Sequence, residues 1–400
     1  MKVLIICPPY LPVPSINGGA IESLIDEYLV HNSITKKYDI TVFSIQSYNI
    51  DKKLLLKYEN TEFKYFYTNK IIDKVLSKSF AFIRKVFKTN KIPSLYMLKI
   101  IRYLKSNNEM DKYDLIIIEN QIESLYYFRK KIKTRLVEHL HNDYLNISVP
   151  QSEIIIKSCD EFWCVSKFIV DQLKKIDNKV NAKVLYNGID YDKFNIDISE
   201  KEKNRINKII NYDKNNFYII YVGRVIPEKG VLELIKAFNN IKNKDDNIKL
   251  LIVGGMNDRK NNKFYKKLYN EKKVNDDCIY FFGYANKLQL KYLYSISNLQ
   301  IVPTLCEEAF GLIVVEGIYF NIPLIVTNSG GIKEIVGDNA VVINKNNIID
   351  ELEQAINLFR KKEVNLYNLK KEYNNILIKF SIENYYNNFD LFIKNNINKK

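Results

Sequence analysis

The sequence has no uninterrupted apolar run approaching the ~20 residues that a transmembrane helix needs. Its opening residues, MKVLIICPPYLP, are apolar for only a short stretch that ends at Pro8 and Pro9, without a cleavage-site pattern. They predict a buried first strand and not a secretory signal. Low-complexity blocks and internal repeats are also absent, which disfavours a solenoid.

Cysteine is scarce, with five residues that show no CxxC spacing, so neither a disulfide framework nor a zinc site is predicted. We interpret the cysteines as reduced, mostly core residues of a cytoplasmic protein. They are Cys7, Cys159, Cys164, Cys278 and Cys306. Glycine and alanine are few while Lys, Asn, Ile and Tyr are abundant, a bias typical of an AT-rich bacterial genome.

Acidic residues are too few to balance the basic ones, 46 against 61, which leaves a formal net charge of +15. The excess is concentrated between Lys70 and Lys105, where ten basic residues face one acid, Asp73, and alternate with apolar side chains. Such a stretch favours peripheral contact with an anionic membrane, where each basic residue contributes roughly 1 kcal/mol. A solvated helix face is the competing interpretation. Nucleic acid is disfavoured as a partner because no recognition motif accompanies the charge.

Four hundred residues suit two domains better than one, and the pattern of apolar runs starts twice. The run at residues 3–7 predicts a buried parallel strand, followed by a loop with Gly18 and Gly19 and then a helical apolar pattern. This strand–glycine loop–helix unit is typical of a doubly wound α/β domain. After a polar stretch at 197–216 the pattern begins again. Strands are predicted at 40–43, 115–118, 135–138, 162–165, 183–185, 218–222, 249–253, 279–281, 299–302 and 323–326, with a last short one at 341–342.

Two carboxylates lie in the sequence EEAFGLIVVE, residues 307–316, directly after a strand-like run. If a helix begins near Phe310, Glu308 lies in the loop before it and Glu316 about two turns inside it. The carboxylates suit the hydroxyl groups of a sugar or ribose. The first backbone N–H groups of that helix suit a phosphate; they belong to Phe310, Gly311 and Leu312. A nucleotide-sugar site and an ordinary exposed acidic pair fit this spacing equally well.

Two cations, Arg224 and Lys229, follow the predicted strand at 218–222. At the carboxyl end of a parallel strand they would face the crevice in which ligands of α/β sheets bind. Two cations there can stabilise the charge that develops on a departing diphosphate, and Arg can do so with two donors at once. Solvation of a surface loop is the alternative interpretation.

These motifs resemble those of the family 4 retaining glycosyltransferases, which have the two-domain GT-B fold, and the resemblance covers nearly the whole chain. Within that family the N-terminal loops look most like the branch with spore-coat-associated and capsule or lipopolysaccharide glycosyltransferases. The matching segments are PSINGGAIESL (14–24), LHND (140–143), NGIDYDKF (187–194), VGRVIPEKG (222–230), EEAFGLIVVE (307–316), TNSGGIKEIV (327–336) and FSIENY (380–385, with Ile382 where Trp is frequent).

The resemblance implies an architecture and a reaction. It implies two Rossmann-like domains facing each other across a cleft: residues 1–198 for the acceptor, 199–376 for the nucleotide-sugar, and a final helix, 377–400, that crosses back to the first domain. It also implies that a sugar, by default UDP-linked, passes with retention of configuration to a hydroxyl of a glycan or cell-envelope acceptor. The expected location is cytoplasmic, with peripheral contact to the inner face of the membrane.

The resemblance also implies roles for individual residues. Glu308 would contact the donor sugar, Glu316 the ribose hydroxyls, and Arg224 with Lys229 the diphosphate. His141, in the HND pattern, is preferred to His139 for a position near the sugar and the β-phosphate. Further donor contacts are expected from Gly18, Gly19, Gly254, Gly255, Tyr284, Phe310, Gly311 and Leu312. Acceptor-side residues are expected to be Glu119, Asn120 and Asp143.

No metal and no other cofactor is expected. Asp190 and Asp192 formally match a metal-binding DxD pattern, but they lie in NGIDYDKF, which is structural in the resembled family. Three other classes stay open: another GT-B enzyme such as a nucleotide-sugar epimerase or a phosphorylase, a nicotinamide-dependent oxidoreductase, and a catalytically weak coat-associated scaffold. The oxidoreductase is disfavoured because Asn17-Gly18-Gly19 lacks the full GxGxxG pattern.

Overall fold

The computed structural model describes residues 1–67, 76, 79, 82–83, 86, 93–242, 247–256, 262–275 and 277–398. The chain forms two compact units, Met1–Gly188 with Glu383–Lys400, and Ile189–Ile382. They divide at 188/189 and 382/383, where the sequence analysis placed limits at 198/199 and 376/377. Ile189 belongs to the second unit because it forms a parallel bridge with Ser381 and donates its N–H to the Phe380 carbonyl at 2.9 Å.

The first unit is built on a seven-stranded parallel sheet of order β3-β2-β1-β4-β5-β6-β7. The order reverses between β1 and β4, which makes the carboxyl ends of these two strands a topological switch point, where ligands of doubly wound folds bind. The central strands are continuous apolar runs, as burial on both faces requires. The strands are β1 Lys2–Ile6, β2 Asp39–Ile45, β3 Thr61–Phe66, β4 Leu115–Glu119, β5 Arg135–Leu140, β6 Glu161–Cys164 and β7 Ala182–Val184.

Helices connect these strands, and the last helix of the chain, α16 (Ile382–Ile397), also packs on this unit. Phe389 of α16 lies edge-on to Trp163 with ring centroids 5.3 Å apart, and Asn396 donates to Glu161 Oε1 at 2.8 Å. Buried aromatic contacts and a buried hydrogen bond therefore hold α16 to the first sheet. The helices are α1 Ala20–Thr35, α2 Lys52–Leu55, α3 Leu95–Ser106, α4 Leu125–Arg129, α5 Ser152–Ile156, α6 Lys167–Ile176 and α16 Ile382–Ile397, with a 3₁₀ turn at Ile122–Ser124.

The second unit is built on a six-stranded parallel sheet of order β10-β9-β8-β11-β12-β13, with its switch point between β8 and β11. The strands are β8 Phe217–Val222, β9 Ile248–Val253, β10 Ile279–Gly283, β11 Leu299–Val302, β12 Leu324–Thr327 and β13 Val341–Ile343. The helices are α7 Glu200–Ile209, α8 Val231–Lys242, α9 Asn262–Lys272, α10 Lys287–Ser295, α11 Leu312–Tyr319, α12 Ile332–Val336, α13 Ile348–Arg360, α14 Leu366–Leu369 and α15 Tyr373–Lys379. Short 3₁₀ turns lie at Tyr191–Phe194, Pro227–Lys229 and Lys273–Asn275.

The predicted α/β class with two doubly wound parallel sheets is confirmed. One strand was missed, β3 Thr61–Phe66, because its sequence TEFKYF is not a continuous apolar run. Among the described strands it pairs with β2 alone, and an edge strand of this kind is partly solvated and keeps polar residues.

Seven of the ten basic residues between Lys70 and Lys105 lie outside the described residues. The last three belong to α3, where Arg102 and Lys105 are exposed and Lys99 Nζ donates to the Tyr67 carbonyl at 2.9 Å. Across the described ranges, no helix combines the length and the apolarity needed to cross a membrane.

Candidate functional site

The site in the second unit is formed by the loops that follow β8 and β11, the two strands at its switch point. The Glu228 carbonyl accepts hydrogen bonds from the N–H groups of Leu305 at 2.9 Å and Cys306 at 3.2 Å. Gly230 permits this approach, because a Cβ there would overlap the Pro303 carbonyl oxygen. The two loops are therefore fixed to each other, and each carries residues singled out from the sequence.

Lys229 and Glu308 meet where these loops join. Lys229 Nζ forms an ion pair with Glu308 Oε1, which also accepts from Thr304 Oγ1 at 3.2 Å. The Glu308 main chain is held as well: its N–H donates to Ser329 Oγ at 3.1 Å, and its carbonyl accepts from the Gly331 N–H at 2.7 Å. Both side chains are about one-fifth exposed, so the pair is positioned by its surroundings yet open to a ligand.

Arg224 leaves β8 in the same loop as Lys229. Its side chain is exposed, and its carbonyl accepts from the Tyr221 hydroxyl at 2.8 Å. In the part of the chain that the structure describes, no ion pair engages the Arg224 guanidinium. The geometry therefore joins Lys229 to Glu308 and leaves the Arg224 guanidinium without a carboxylate partner.

The helix that carries Glu316 begins two residues later than predicted, at Leu312. Gly311 precedes it with a φ of 112°, outside the helical region, and Phe310 is buried with its ring edge-on to Phe380 at 5.2 Å. Glu316 therefore lies about one turn inside the helix, and the prediction of two turns was wrong. Within the described ranges no side chain caps this N-terminus, so the first N–H groups of the helix, beginning at Leu312, are available to an anion, whereas Phe310 lies before the helix.

Glu316 is partly buried against α10, where the Tyr294 hydroxyl donates to its Oε2 at 3.2 Å. Burial raises the pKa of Glu316 to about 7, against the lowering effects of the Tyr294 hydrogen bond and of the Lys287 charge. Sequence reasoning missed Tyr294, because an apolar helix position carries no sign of a hydroxyl aimed at another helix.

If Glu316 binds ribose hydroxyls, as the sequence motif implies, this pKa predicts a pH dependence of nucleotide binding. An ionised Glu316 accepts hydrogen bonds from hydroxyls, so affinity is expected to fall as pH drops through about 7. Tyr294→Phe removes a contact that lowers the pKa and should move the midpoint to higher pH. Calorimetric titration of a nucleotide at a series of pH values measures this shift. Tyr292→Phe, on the same helix with its hydroxyl on Asn207, is the matched control and should leave the midpoint unchanged.

Three further residues of this unit were expected to contact the donor: Gly254, Gly255 and Tyr284. Gly254 has a φ of 152°, and a Cβ there would overlap the Gly223 carbonyl oxygen, whereas a Cβ on Gly255 would meet nothing within 4 Å. Gly254 therefore allows close packing of two strand ends. Tyr284 is 84% exposed.

In the first unit, Gly18 and Gly19 lie between β1 and α1 with φ values of 75° and 101°. Space around Gly18 is open, but a Cβ on Gly19 would overlap the Glu22 carboxylate. Glu22 is buried in the first turn of α1, and this burial raises its pKa. Sequence reasoning missed Glu22, although an acid in the first helical turn beside a glycine loop is a visible signal.

The ends of β4 and β5 bring Glu119, His139 and His141 together. Glu119 Oε2 lies 2.7 Å from His141 Nε2 and 3.0 Å from His139 Nδ1. Burial raises the pKa of Glu119, but the two imidazoles outweigh it and lower the pKa to about 2. Burial and the nearby His139 lower the pKa of His141 to about 4 despite the Glu119 carboxylate. Glu119 is fully buried, so the structure places it against the imidazoles and not at a surface where an acceptor binds.

The remaining acceptor-side candidates lie just beyond these strand ends. Asn120 has a φ of 59°, and its Oδ1 accepts from the His141 N–H at 3.4 Å. Asp143 is partly buried, and its carbonyl accepts from Asn146 Nδ2 at 2.8 Å. Both residues are more open to solvent than Glu119.

Two sets of residues bear on metal binding. One cluster in the described ranges has three potential metal-ligand atoms within 4.8 Å of one another: Glu119, His139 and His141. Their shared oxygen lies at hydrogen-bonding distance from both rings, so a bound ion would have to displace these contacts. Asp190 and Asp192, the DxD pair, serve a 3₁₀ turn instead, in which Asp190 Oδ1 accepts from the Asp192 N–H at 3.1 Å.

One known protein family matches most of the second unit. Residues 202–376 match the family described as glycosyl transferases group 1. This span contains the Arg224–Lys229 loop, the Glu308 loop and the helix that carries Glu316.

Known proteins match over most of the chain. A lipopolysaccharide 1,2-N-acetylglucosaminetransferase of Salmonella typhimurium is 23% identical over 98% of both chains. Spore coat protein SA of Bacillus subtilis is 21% identical over 86% of both chains. HepE of Anabaena, solved in complex with UDP, superposes with a TM-score of 0.73 at 15% identity, over 99% of this chain and 100% of that one. These likenesses agree with the fold and the branch that the sequence motifs indicate.

Proposed function

We propose that this chain, which has the GT-B fold and matches the group 1 glycosyl transferases over residues 202–376, is a retaining, family 4 hexosyltransferase that needs no metal ion. It would transfer a sugar from a UDP-linked donor to a hydroxyl of a glycan or lipid-linked cell-envelope acceptor. The relatives named for lipopolysaccharide and spore coat support this acceptor class, and HepE in complex with UDP supports the donor base. A cytoplasmic location with peripheral membrane contact is part of the same proposal.

The observation that carries the proposal is the Lys229–Glu308 pair at the switch point of the second sheet, beside the exposed Arg224. A diphosphate can take over the cations, because phosphate oxygens accept charge-assisted hydrogen bonds from both. Glu308 would then lose its contact with Lys229 and accept a hydrogen bond from a sugar hydroxyl, because an ionised carboxylate acts only as an acceptor. Glu316, one turn inside α11, would accept from the ribose hydroxyls.

The proposed chemical step balances without a further reagent. The bond from the sugar anomeric carbon to the β-phosphate oxygen breaks, and its electron pair leaves with the diphosphate. The acceptor oxygen forms its bond to the same face of that carbon and gives its proton to the departing phosphate. Arg224 and Lys229 stabilise the charge that develops on the leaving group. No carboxylate is needed as a covalent nucleophile.

A nucleotide-release assay over UDP-, GDP-, ADP- and CMP-sugars, with and without EDTA, tests the proposal. We expect release from a UDP-sugar that EDTA leaves unchanged. In Arg224→Ala the loss of a charged hydrogen bond, about 1.5–3 kcal/mol, should lower kcat/KM by roughly 10- to 150-fold. Abolition by EDTA would contradict metal independence, and parental activity in Arg224→Ala would contradict the assigned diphosphate site. Release that requires an acceptor would exclude an epimerase.

A further inference from the structure

The register of the first sheet places Glu119 and His139 on one face, and His141 follows just beyond the end of β5. β4 and β5 are parallel and pair Glu119 with His139, so these side chains point the same way. His141 lies one residue beyond the end of β5, and its Nε2 reaches the Glu119 carboxylate at 2.7 Å. The backbone beyond the strands is fixed too, since the Asn120 N–H donates to the His139 carbonyl at 3.0 Å.

The hydrogen bond between Glu119 and His141 determines which ring nitrogen carries a proton. Glu119 Oε2 lies 2.7 Å from His141 Nε2, a distance typical of a charge-assisted bond. An ionised carboxylate only accepts hydrogen bonds, so the proton must lie on Nε2. A neutral imidazole has one N–H, which leaves Nδ1 as an acceptor.

His139 supports this arrangement from behind. It is fully buried, tilted against the His141 ring at 4.0 Å between centroids and edge-on to Trp163 at 6.1 Å. Its Nδ1 is 3.0 Å from the same carboxylate oxygen but without hydrogen-bond geometry. The carboxylate therefore gives its well-formed bond to His141, while His139 and Trp163 restrict the movement of both groups.

We propose that Glu119 is a positioning residue: it holds the His141 ring as the Nε2–H tautomer and presents the Nδ1 lone pair to the substrate. It follows that His141 accepts a hydrogen bond from a hydroxyl, such as one on the sugar, and does not donate to a phosphate. This part of the inference rests on the proposed function, whereas the tautomer does not. Glu119 itself touches no acceptor.

Nitrogen NMR of protein labelled with ¹⁵N-histidine tests the tautomer directly. The chain has only three histidines, so each ring can be assigned by single replacement. In the wild type at pH 7.5 we expect a protonated Nε2 and an unprotonated Nδ1 for His141. Glu119→Ala should give a mixture of tautomers. Glu119→Gln, whose amide oxygen can still accept, should restore the Nε2–H form. His31, outside this cluster, is the internal control.

Two spectra would overturn the inference. One is a wild-type spectrum that shows the His141 proton on Nδ1. This result does not depend on whether a Glu119 variant folds. The other is a wild-type spectrum that changes when EDTA is added to the purified protein, because a bound metal ion and not a proton would then hold the ring.

Kinetics separate this inference from the proposed function. In Glu119→Ala we expect kcat for nucleotide release to fall by up to about 100-fold, the effect of misplacing a reacting group by about 1 Å, with little change in donor KM. Glu119→Gln should recover most of that loss. A correct tautomer with no release from any donor would reject the proposed function alone. Equal kcat in Glu119→Ala and wild type would reject the positioning role.

Discussion

Glu308→Gln is expected to lower kcat/KM by up to roughly 150-fold, because the neutral amide oxygen replaces a carboxylate whose proposed charged hydrogen bond to a donor hydroxyl contributes about 1.5–3 kcal/mol. The variant also leaves the partly buried Lys229 without its counter-ion. Steady-state nucleotide release with the best donor of the panel measures the effect. The loss should appear mainly in kcat if Glu308 holds the sugar in its reactive position.

The neighbouring Glu307 offers a matched control. It is about half exposed, pairs with Lys345 at 2.6 Å and accepts from the Gly330 N–H. Glu307→Gln keeps an amide oxygen for that N–H and removes only a surface ion pair, whose contribution is below about 1 kcal/mol. Its kcat/KM should stay close to that of the wild type. An equal loss in both variants would mean that the loop, and not the Glu308 carboxylate, is responsible.

Gly254→Ala is expected to destabilise the protein by about 3–5 kcal/mol. The backbone strain of a non-glycine residue in this region costs of order 1–3 kcal/mol, and forcing a Cβ into a packed site costs a similar amount. Here the Cβ would overlap the Gly223 carbonyl oxygen at a φ of 152°. Gly254 also donates its N–H to the Gly283 carbonyl at 2.8 Å, so the strand end cannot easily move away. Urea denaturation followed by circular dichroism gives the change in midpoint.

Gly255→Ala is the control, one residue further along the chain. A Cβ there meets nothing within 4 Å, and Gly255 is exposed, so its stability should change by less than about 0.5 kcal/mol. Equal midpoints for the two variants would show that Gly254 is not needed for close packing of β8 and β9. Equal loss in both would point to backbone flexibility and not to the overlap.

The α/β class and most strands were predictable because strands buried on both faces must be continuous apolar runs. The cations after β8 and the carboxylates after β11 were predictable for a related reason. Ligands of parallel sheets bind at the carboxyl ends of strands, so polar residues that follow an apolar run there stand out. The start of α11 was not predictable to the residue, because Phe310 is apolar and fits the helical pattern, whereas in the structure Gly311 has a φ of 112° and Phe310 packs on Phe380.

Other parts of the site depend on contacts between residues far apart in sequence. The sequence singled out Lys229 and Glu308 as separate candidates. Their ion pair depends on the hydrogen bonds by which the Glu228 carbonyl joins the two loops. The sequence also favoured His141 over His139, yet nothing in it indicated that Glu119 would bind a histidine and not an acceptor. That depends on the register of β4 and β5, which pairs Glu119 with His139.

The sequence by itself therefore determined the class of fold and the chemical types of the candidate site residues, because burial and ligand chemistry act on residue type and local spacing. Only the tertiary structure decided which charges are paired, which carboxylate is buried and which pKa values are shifted. These properties depend on distance and on the loss of surrounding water, and both are set by residues that the chain brings together from distant positions.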